Sequence, residues 1–327
     1  MIQPIRIELP TEYEAGPVNA YLFTEPDVVL VDTGVKSEDS WRALVAGLAA
    51  HGVGVGDLQR LVLTHAHVDH FGQARRLAER GVRVETAVVV ADRLTRFSDI
   101  WRQRMAYYRE VFLPQTGLST QMMGYILAYF EMVAANYEDV PARCLTTFPN
   151  EGTVQLGGAT WQVLHTPGHC SHQTIYYQPE TRQLLSSDML LPRTPTPVVE
   201  TPADGRTRQP SLPTFLRSLE RVAALDVAVV YPGHGEVFTD HAAVAAAQRA
   251  RILRRAEEAL ACVQAGCRTA AEVVAKLYAG RPLPIQFAGL WMTLGYLDLL
   301  LAQGRIGARE EGAVVVYETM TTTDKSK

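Results

Sequence analysis

Thr64-His65-Ala66-His67-Val68-Asp69-His70 follows the continuous apolar run Leu61-Val62-Leu63, so four groups able to ligate a metal stand just past a predicted buried strand. Alternation in an extended loop turns His65 and His67 to the same side. Asp69 and His70 lie one short turn further on and can face a second point. Outward from this stretch, three more candidates each follow an apolar strand of their own. His169 comes after residues 161–164 through Thr166-Pro167-Gly168, Asp188 after Leu184-Leu185, and His234 after residues 227–230 in Tyr231-Pro232-Gly233-His234-Gly235. Asp32 ends another strand, in Val31-Asp32-Thr33-Gly34. Each of these elements can deliver its side chain to one edge of a layered sheet.

Imidazole and carboxylate are the usual ligands of Zn²⁺, Fe²⁺ and Mn²⁺, and a carboxylate can bridge two ions. His65, His67, Asp69, His70, His169, Asp188 and His234 suffice for two ions with a position left open for water. Two metals roughly 3.5–4 Å apart share a hydroxide and lower its pKa toward ~7. Such a site makes a nucleophile at neutral pH without a Ser or Cys.

The chain around these residues has 327 residues, 47% hydrophobic and 20% charged, which excludes a disordered, collagen-like or coiled-coil protein. Its length predicts one large domain, or one plus an appendage. A net charge of −4 gives no bulk reason to bind nucleic acid or an anionic membrane. No run of about 18 apolar residues occurs, so no membrane span is expected, and the first residues lack the apolar core of a signal peptide. Four scattered cysteines (Cys144, Cys170, Cys262, Cys267) do not make a disulfide framework, so a reducing, cytoplasmic setting is the expectation.

Strand and helix patterns alternate from the N-terminus, which argues for an α/β layered fold. Residues 40–51 and 72–80 read as helices and 82–90 as a strand. Residues 98–140 break the rhythm with aromatic and Met-rich helices split at Pro114 and Gly117, and are read as a helical insert or lid over a substrate pocket. Residues 192–213 form a long loop with six prolines. The catalytic unit is placed at 1–240. From 241 to 327 the pattern is three helices (242–264, 269–277, 290–303) and a hairpin, similar to a winged-helix unit. This segment carries 11 basic and eight acidic side chains, and its polar end, 321–327, is expected to fray.

These motifs, in this order, resemble the metallo-β-lactamase superfamily over about residues 5–238. The resemblance implies an αββα sandwich with a binuclear metal centre at one edge, the ions being zinc in first place and iron or manganese otherwise. It implies that His65, His67 and His169 hold one metal and Asp69, His70 and His234 the other, with Asp188 bridging. Asp32 would orient the ligand loop, and Asp69 would also carry a proton to the leaving group.

Within the superfamily, His67 stands where flavodiiron oxygen reductases have Glu, and no β-CASP-like insert is evident. Di-zinc β-lactamases often replace the residue at His70 or Asp188. Acyl-homoserine lactonases place a Tyr where this chain has Leu191. The glutathione-binding basic residues of glyoxalase II are not recognisable, although that enzyme shares the ligands and a C-terminal appendage. The branch containing the lactamase-β-like endoribonuclease also joins this core to a winged-helix-like segment, similar to residues 269–275 and 294–301. The long insert suggests a covered apolar pocket rather than a groove for a strand of RNA. The expected function is hydrolysis of a small ester, thioester or lactone by a metal-bridging hydroxide. The alternatives are a metal-dependent endoribonuclease, an iron-dependent persulfide dioxygenase, and a binding module in the C-terminal segment. A small-molecule substrate is the expected partner, with a homo-oligomer left open. His172 is read as lying behind the ligands or on the surface, His165 as lying behind the ligands or packing, and Cys170 as a packing thiol. Arg193, Arg206 and Arg208 are read as either an anion clamp or solvated charges.

Overall fold

The computed structural model describes residues 3–13, 16–193, 199–202 and 204–320. The tail at 321–327, expected to fray, lies outside the described residues. Two sheets take up the strand signals. β1 (Ile5–Leu9), β2 (Val18–Phe23), β3 (Val29–Val31), β4 (Arg60–Leu63), β5 (Arg83–Ala87) and β6 (Leu145–Phe148) form one sheet in chain order. β7 (Thr153–Leu156), β8 (Ala159–His165), β9 (Thr174–Gln178), β10 (Gln183–Ser187) and β11 (Val229–Pro232) form the other, in the order β11-β10-β9-β8-β7. Strands β3 to β6 are parallel, as are β10 and β11; the other neighbours are antiparallel.

Parallel neighbours need crossovers, and the helices supply them. α1 (Glu38–Ala49) joins β3 to β4, and α2 (Val68–Phe71) with α3 (Ala74–Ala78) joins β4 to β5. The Ser37 hydroxyl accepts from the Ser40 amide at 3.1 Å to cap α1, a contribution of about 1 kcal/mol. The β5–β6 crossover is the helical insert itself: α4 (Val88–Thr95), α5 (Phe97–Tyr107), a π-helical turn at Tyr108–Phe112, α6 (Leu113–Gln115) and α7 (Thr120–Ala135). α8 (Ser211–Ala223) joins β10 to β11.

The second sheet shows why the arrangement is a sandwich. On β8, β9 and β10, Trp161, Val163, Tyr176 and Leu185 point to a core shared with the first sheet. Their neighbours Leu164, Ile175, Tyr177 and Leu184 point to a second core beneath α8. That alternation is the period of two of a strand buried on both faces. Across the gap, Phe23 packs edge-on against Trp161 with ring centroids 6.0 Å apart, and the Tyr176 hydroxyl donates to the Leu63 carbonyl at 2.9 Å. The αββα sandwich expected from the motifs is the architecture present.

The C-terminal segment consists of α9 (His241–Gln264), α10 (Ala270–Leu277), α11 (Leu283–Ala302) and a hairpin of β12 (Ile306–Glu311) and β13 (Val314–Thr319). Ala245, Ile252, Leu297 and Ile306 of this segment share the second core with Phe215 of α8. α11 has the length and composition of a membrane span, at mean hydropathy 1.4, but 67% of that window is buried inside the protein, as in a core helix.

Several sequence boundaries move. The strand read at 82–90 ends at Ala87, and the β-branched Val88-Val89-Val90 opens α4 instead. The Val89 amide donates to Asn150 Oδ1 at 2.9 Å, so the start of α4 is stabilised by a side chain 61 residues away. α8 begins at Ser211 inside the stretch that reads as loop, and α11 begins at Leu283 with Pro284 in its first turn, a position proline tolerates. β6 has no counterpart among the predicted strands; its residues are only half-buried or exposed, so it lacks an apolar run.

Candidate metal centre

The parallel strands β3 and β4 end side by side, which brings Asp32 beneath the loop that carries His65 to His70. Asp32 has φ 60, a left-handed conformation that Asp adopts more readily than most residues. Its Oδ1 accepts from the Thr64 amide at 3.0 Å, and its Oδ2 accepts from the Thr64 hydroxyl at 2.8 Å. The same Oδ2 lies 2.8 Å from His70 Nδ1. β8, β10 and β11 of the other sheet bring His169, Asp188 and His234 to the same edge.

Two groups result. One ligating atom from each of His65, His67, His169 and Asp188 lies within 4.8 Å of the others, and the same holds for Asp69, His70 and His234. Asp188 stands between them. Its Oδ1 is 3.4 Å from His70 Nε2, while its Oδ2 is 3.4 Å from His169 Nε2 and 3.7 Å from His234 Nε2. Asp69 Oδ2 lies 3.5 Å from His234 Nε2. All seven sequence-predicted candidates therefore meet, with Asp32 behind them.

Three of the five imidazoles share one hydrogen-bond polarity, whereas His67 Nδ1 and His169 Nε2 lie 2.8 Å from each other. His65 Nδ1 lies 3.1 Å from the Thr64 hydroxyl, His70 Nδ1 faces Asp32, and His234 Nδ1 lies 2.9 Å from the Pro17 carbonyl. The opposite nitrogens, Nε2 of His65, His70 and His234, are buried with no hydrogen-bond partner among the described residues, as is Asp188 Oδ1. A buried polar atom without a partner costs about 1–3 kcal/mol. Imidazoles tied at one nitrogen and bare at the other are the form in which histidine ligates a metal, so these residues fit divalent cations.

Electrostatics agree. Burial, then the neighbouring His70 and His67, holds His65 well below the ordinary histidine range. Burial and His169 do the same to His67. Burial would also lower His70 and His234, but the carboxylates beside them prevail. Asp188, Asp32 and Asp69 lift His70 well above its usual value, and Asp188 with Asp69 lifts His234 to about 9. Against burial, His70 and His234 pull Asp69 down to about 2. Protons on imidazole here balance buried carboxylates, and a cation binding at the same atoms would displace them.

Two glycines have no alternative. A Cβ on Gly233 would meet Asp188 Oδ1 at 2.2 Å. Gly168, at φ +140, leaves no room against the backbone of Phe215, 2.3 Å from its would-be Cβ.

A cavity of about 530 Å³ opens onto His67, Asp69 and His169, walled by insert residues including Phe97, Trp101 and Phe130 and by Phe287 and Trp291 of α11. His172 is buried on this wall with neither ring nitrogen hydrogen-bonded among the described residues, its ring centroid 6.0 Å from that of His67. His165 is half-buried, with Nε2 2.8 Å from the Ser171 carbonyl. Cys170 is buried, and burial raises its thiol pKa well above the usual range, as a packing thiol requires. Of the three loop arginines, Arg193 and Arg206 are exposed, while both terminal nitrogens of Arg208 are engaged by Asp298. Arg208 is thereby taken out of any anion clamp, because a carboxylate of α11 already occupies its fork.

Sequence reasoning missed Arg93, Arg104 and Glu200, which form a buried ion network beside His172. No local signal marks them: charged residues on a helix and in a loop are by default solvated.

Comparison with known proteins agrees with this geometry. The family model of the metallo-beta-lactamase superfamily matches residues 13–234. Over 321 residues the chain is 28% identical to the probable metallo-hydrolase YqjP of Bacillus subtilis, covering 97% of this chain and 98% of that one. A metallo-beta-lactamase family protein from Thermus thermophilus superposes with TM-score 0.78 at 27% identity, covering 97% of this chain and 98% of that one. A beta-lactamase domain protein from Burkholderia ambifaria shares the fold at TM-score 0.79 and 23% identity, covering 96% of this chain and 92% of that one. With its motifs assembled at the edge of an αββα sandwich, the chain belongs to the metallo-β-lactamase superfamily of hydrolases.

Proposed function

We propose that this protein is a binuclear hydrolase of a small ester, thioester or lactone. One observation carries the reading: the bare Nε2 atoms of His70 and His234, one from each sheet, converge on the two oxygens of Asp188. His65, His67 and His169 would hold one ion, Asp69, His70 and His234 the other, and Asp188 would touch both. When bound, the ions supply Lewis acidity and an ionised water near neutral pH. The chain's own groups do the rest. Asp32 and Thr64 hold the ligand loop, and the Asp69 carboxylate can take up a proton and pass it to the leaving group. The apolar cavity walls exclude water and position the acyl group.

A limited likeness supports the acyl class. Over 112 residues the chain is 26% identical to an atrochrysone carboxyl ACP thioesterase of Aspergillus fumigatus, covering 34% of this chain and 24% of that one. The four free thiols suit a reducing, cytoplasmic setting. The C-terminal segment serves this pocket through α11, as part of its wall.

The test is a substrate panel on metal-quantified protein. It comprises p-nitrophenyl esters, thioesters, lactones, phosphodiesters and single-stranded RNA. Turnover of an ester, thioester or lactone with two ions per chain, lost on chelation, is the expected result. Cleavage of RNA alone, or iron with O₂ consumption on a persulfide, would overturn it.

A further inference from the structure

The cavity beside the metal centre is apolar on most of its wall but not throughout. Trp101 and Phe130 (ring centroids 5.9 Å apart), Phe130 and Phe287 (5.7 Å), and Phe287 and Trp291 (4.8 Å) make a continuous aromatic surface. At about 530 Å³, the space lies within the range of roughly 300–1,000 Å³ common to small-ligand sites. Into the same space face Arg93, Arg104 and His172, while the acidic groups on its lining are Asp69 of the candidate metal centre and the exposed Glu12.

Both arginines lean on a single oxygen. Glu200 Oε2 accepts from Arg93 Nη1 at 2.7 Å and from Arg104 Nη2 at 2.6 Å. The side chains of Arg104 and Glu200 are each only 9% exposed. Among the described residues, Glu200 Oε1 has no hydrogen-bond partner, and neither does Arg104 Nε. His172 Nδ1 lies 3.8 Å from Glu200 Oε1. Burial holds the His172 pKa down to about 3, so the imidazole brings no charge. Within this network, among the described residues, two guanidinium groups share one carboxylate, so the cluster itself carries one net positive charge; Asp69 belongs to the candidate metal centre and Glu12 is exposed. A buried charge without a counter-ion is costly, and guanidinium donors on a carboxylate are among the stronger hydrogen bonds a protein makes.

We propose that the substrate is an acidic amphiphile: an acyl ester or thioester with a bulky apolar body and a carboxylate seated on Arg104 and Arg93. The aromatic wall takes the body, and the arginines take the acid. His172 lies 3.8 Å from Glu200 Oε1 and its ring 6.0 Å from that of His67, so the seat would hold the carboxylate on the same side of the cavity as the candidate ligands. Arg104 and Arg93 are thus specificity-determining groups. This inference rests on the hydrolase reading of the same site and narrows its substrate class.

The experiment compares two aryl thioesters of 3-phenylglutaric acid on the metal-loaded full-length protein. One keeps the second carboxylate and the other carries a carboxamide there. The ratio of their kcat/KM values is the readout, because loss of fold or metal in a variant cancels from it. The wild type is expected to favour the carboxylate at least tenfold. R104M should bring the ratio close to one, and E200Q should preserve or raise it, because both arginines are then freed. R93M provides a second removal should R104M fail to fold. A wild-type ratio near one, or a ratio unchanged in R104M and R93M, overturns the proposal.

A binding arm separates this failure from failure of the hydrolase reading. Trp101 and Trp291 line the cavity, so their fluorescence reports 3-phenylglutarate and its diamide without turnover. Binding of the acid that weakens at least tenfold in R104M, with no thioester cleaved, supports the anion seat and sinks the hydrolase. Equal turnover of both thioesters sinks the seat and leaves the hydrolase standing.

Discussion

Asp32 Oδ2 lies 2.8 Å from Nδ1 of His70, and this contact holds the imidazole with its bare Nε2 toward Asp188. A residue that touches no candidate metal position therefore sets the direction of one that does. Asp32→Asn keeps the side-chain size, and Asn also tolerates the left-handed backbone. It removes the charge that favours the required tautomer. The expected outcome is a ~10–100-fold loss of affinity for the ion held by Asp69, His70 and His234. Titration against a competing chelator should show this weakening, with the other ion retained more tightly.

His67→Ala should lose at least one ion and nearly all turnover. Asp188→Asn should be worse than Asp32→Asn, beyond the ~100-fold upper end for a supporting residue, because both groups share its oxygens. Metal analysis beside a kcat measurement checks both variants. A His67→Ala protein with two ions and full activity would refute the ligand assignment.

Gly233→Ala tests the close approach of β11 to Asp188. The added methyl would stand 2.2 Å from Asp188 Oδ1, so the carboxylate must shift by about 1 Å, and a displacement of that size costs around 10²-fold in rate. The Tm of the metal-free protein should change far less than kcat. Unchanged kcat would mean that Asp188 need not stay where it is.

The Glu200 network makes a pH prediction. Burial pushes its carboxyl pKa up, but Arg104 and Arg93 prevail and hold it below the usual 4.5. A depressed carboxylate pKa contributes stability that is present above the unfolded value and lost as pH falls through the folded one. Wild type should therefore exceed Glu200→Gln in Tm at pH 7. The gap should begin to close below about pH 4.5, where the carboxyl of the unfolded chain takes on a proton while the folded one stays ionised, and close fully only below the lowered folded value. A gap independent of pH between about 7 and 3 would show that the charge of Glu200 does not stabilise the fold.

Much of the fold was readable because its signals are local. The run 61–63 and its polar sequel mark a strand and its end, and Thr269 with Glu272 forms the capping box that opens α10. Where reading failed, the deciding contact lay far off in the chain. The β-branched Val88–Val90 stretch favours a strand by propensity, yet the Asn150 side chain supports the start of a helix there. Pro213 falls in the stretch read as a loop, and Pro284 before the helix read at 290–303, yet each sits in the first turn of a helix, where no amide is required.

The amino-acid order alone determined the chemistry available: five imidazoles and three carboxylates, each placed just after an apolar run, which is enough to foresee a cation site. Tertiary packing decided the cavity and its charge. Arg104 and Glu200 are 96 residues apart, and nothing near either one distinguishes it from an ordinary surface ion. Chain segments folded over them removed the water that would otherwise screen them, and burial, unlike side-chain type, belongs to the assembled molecule.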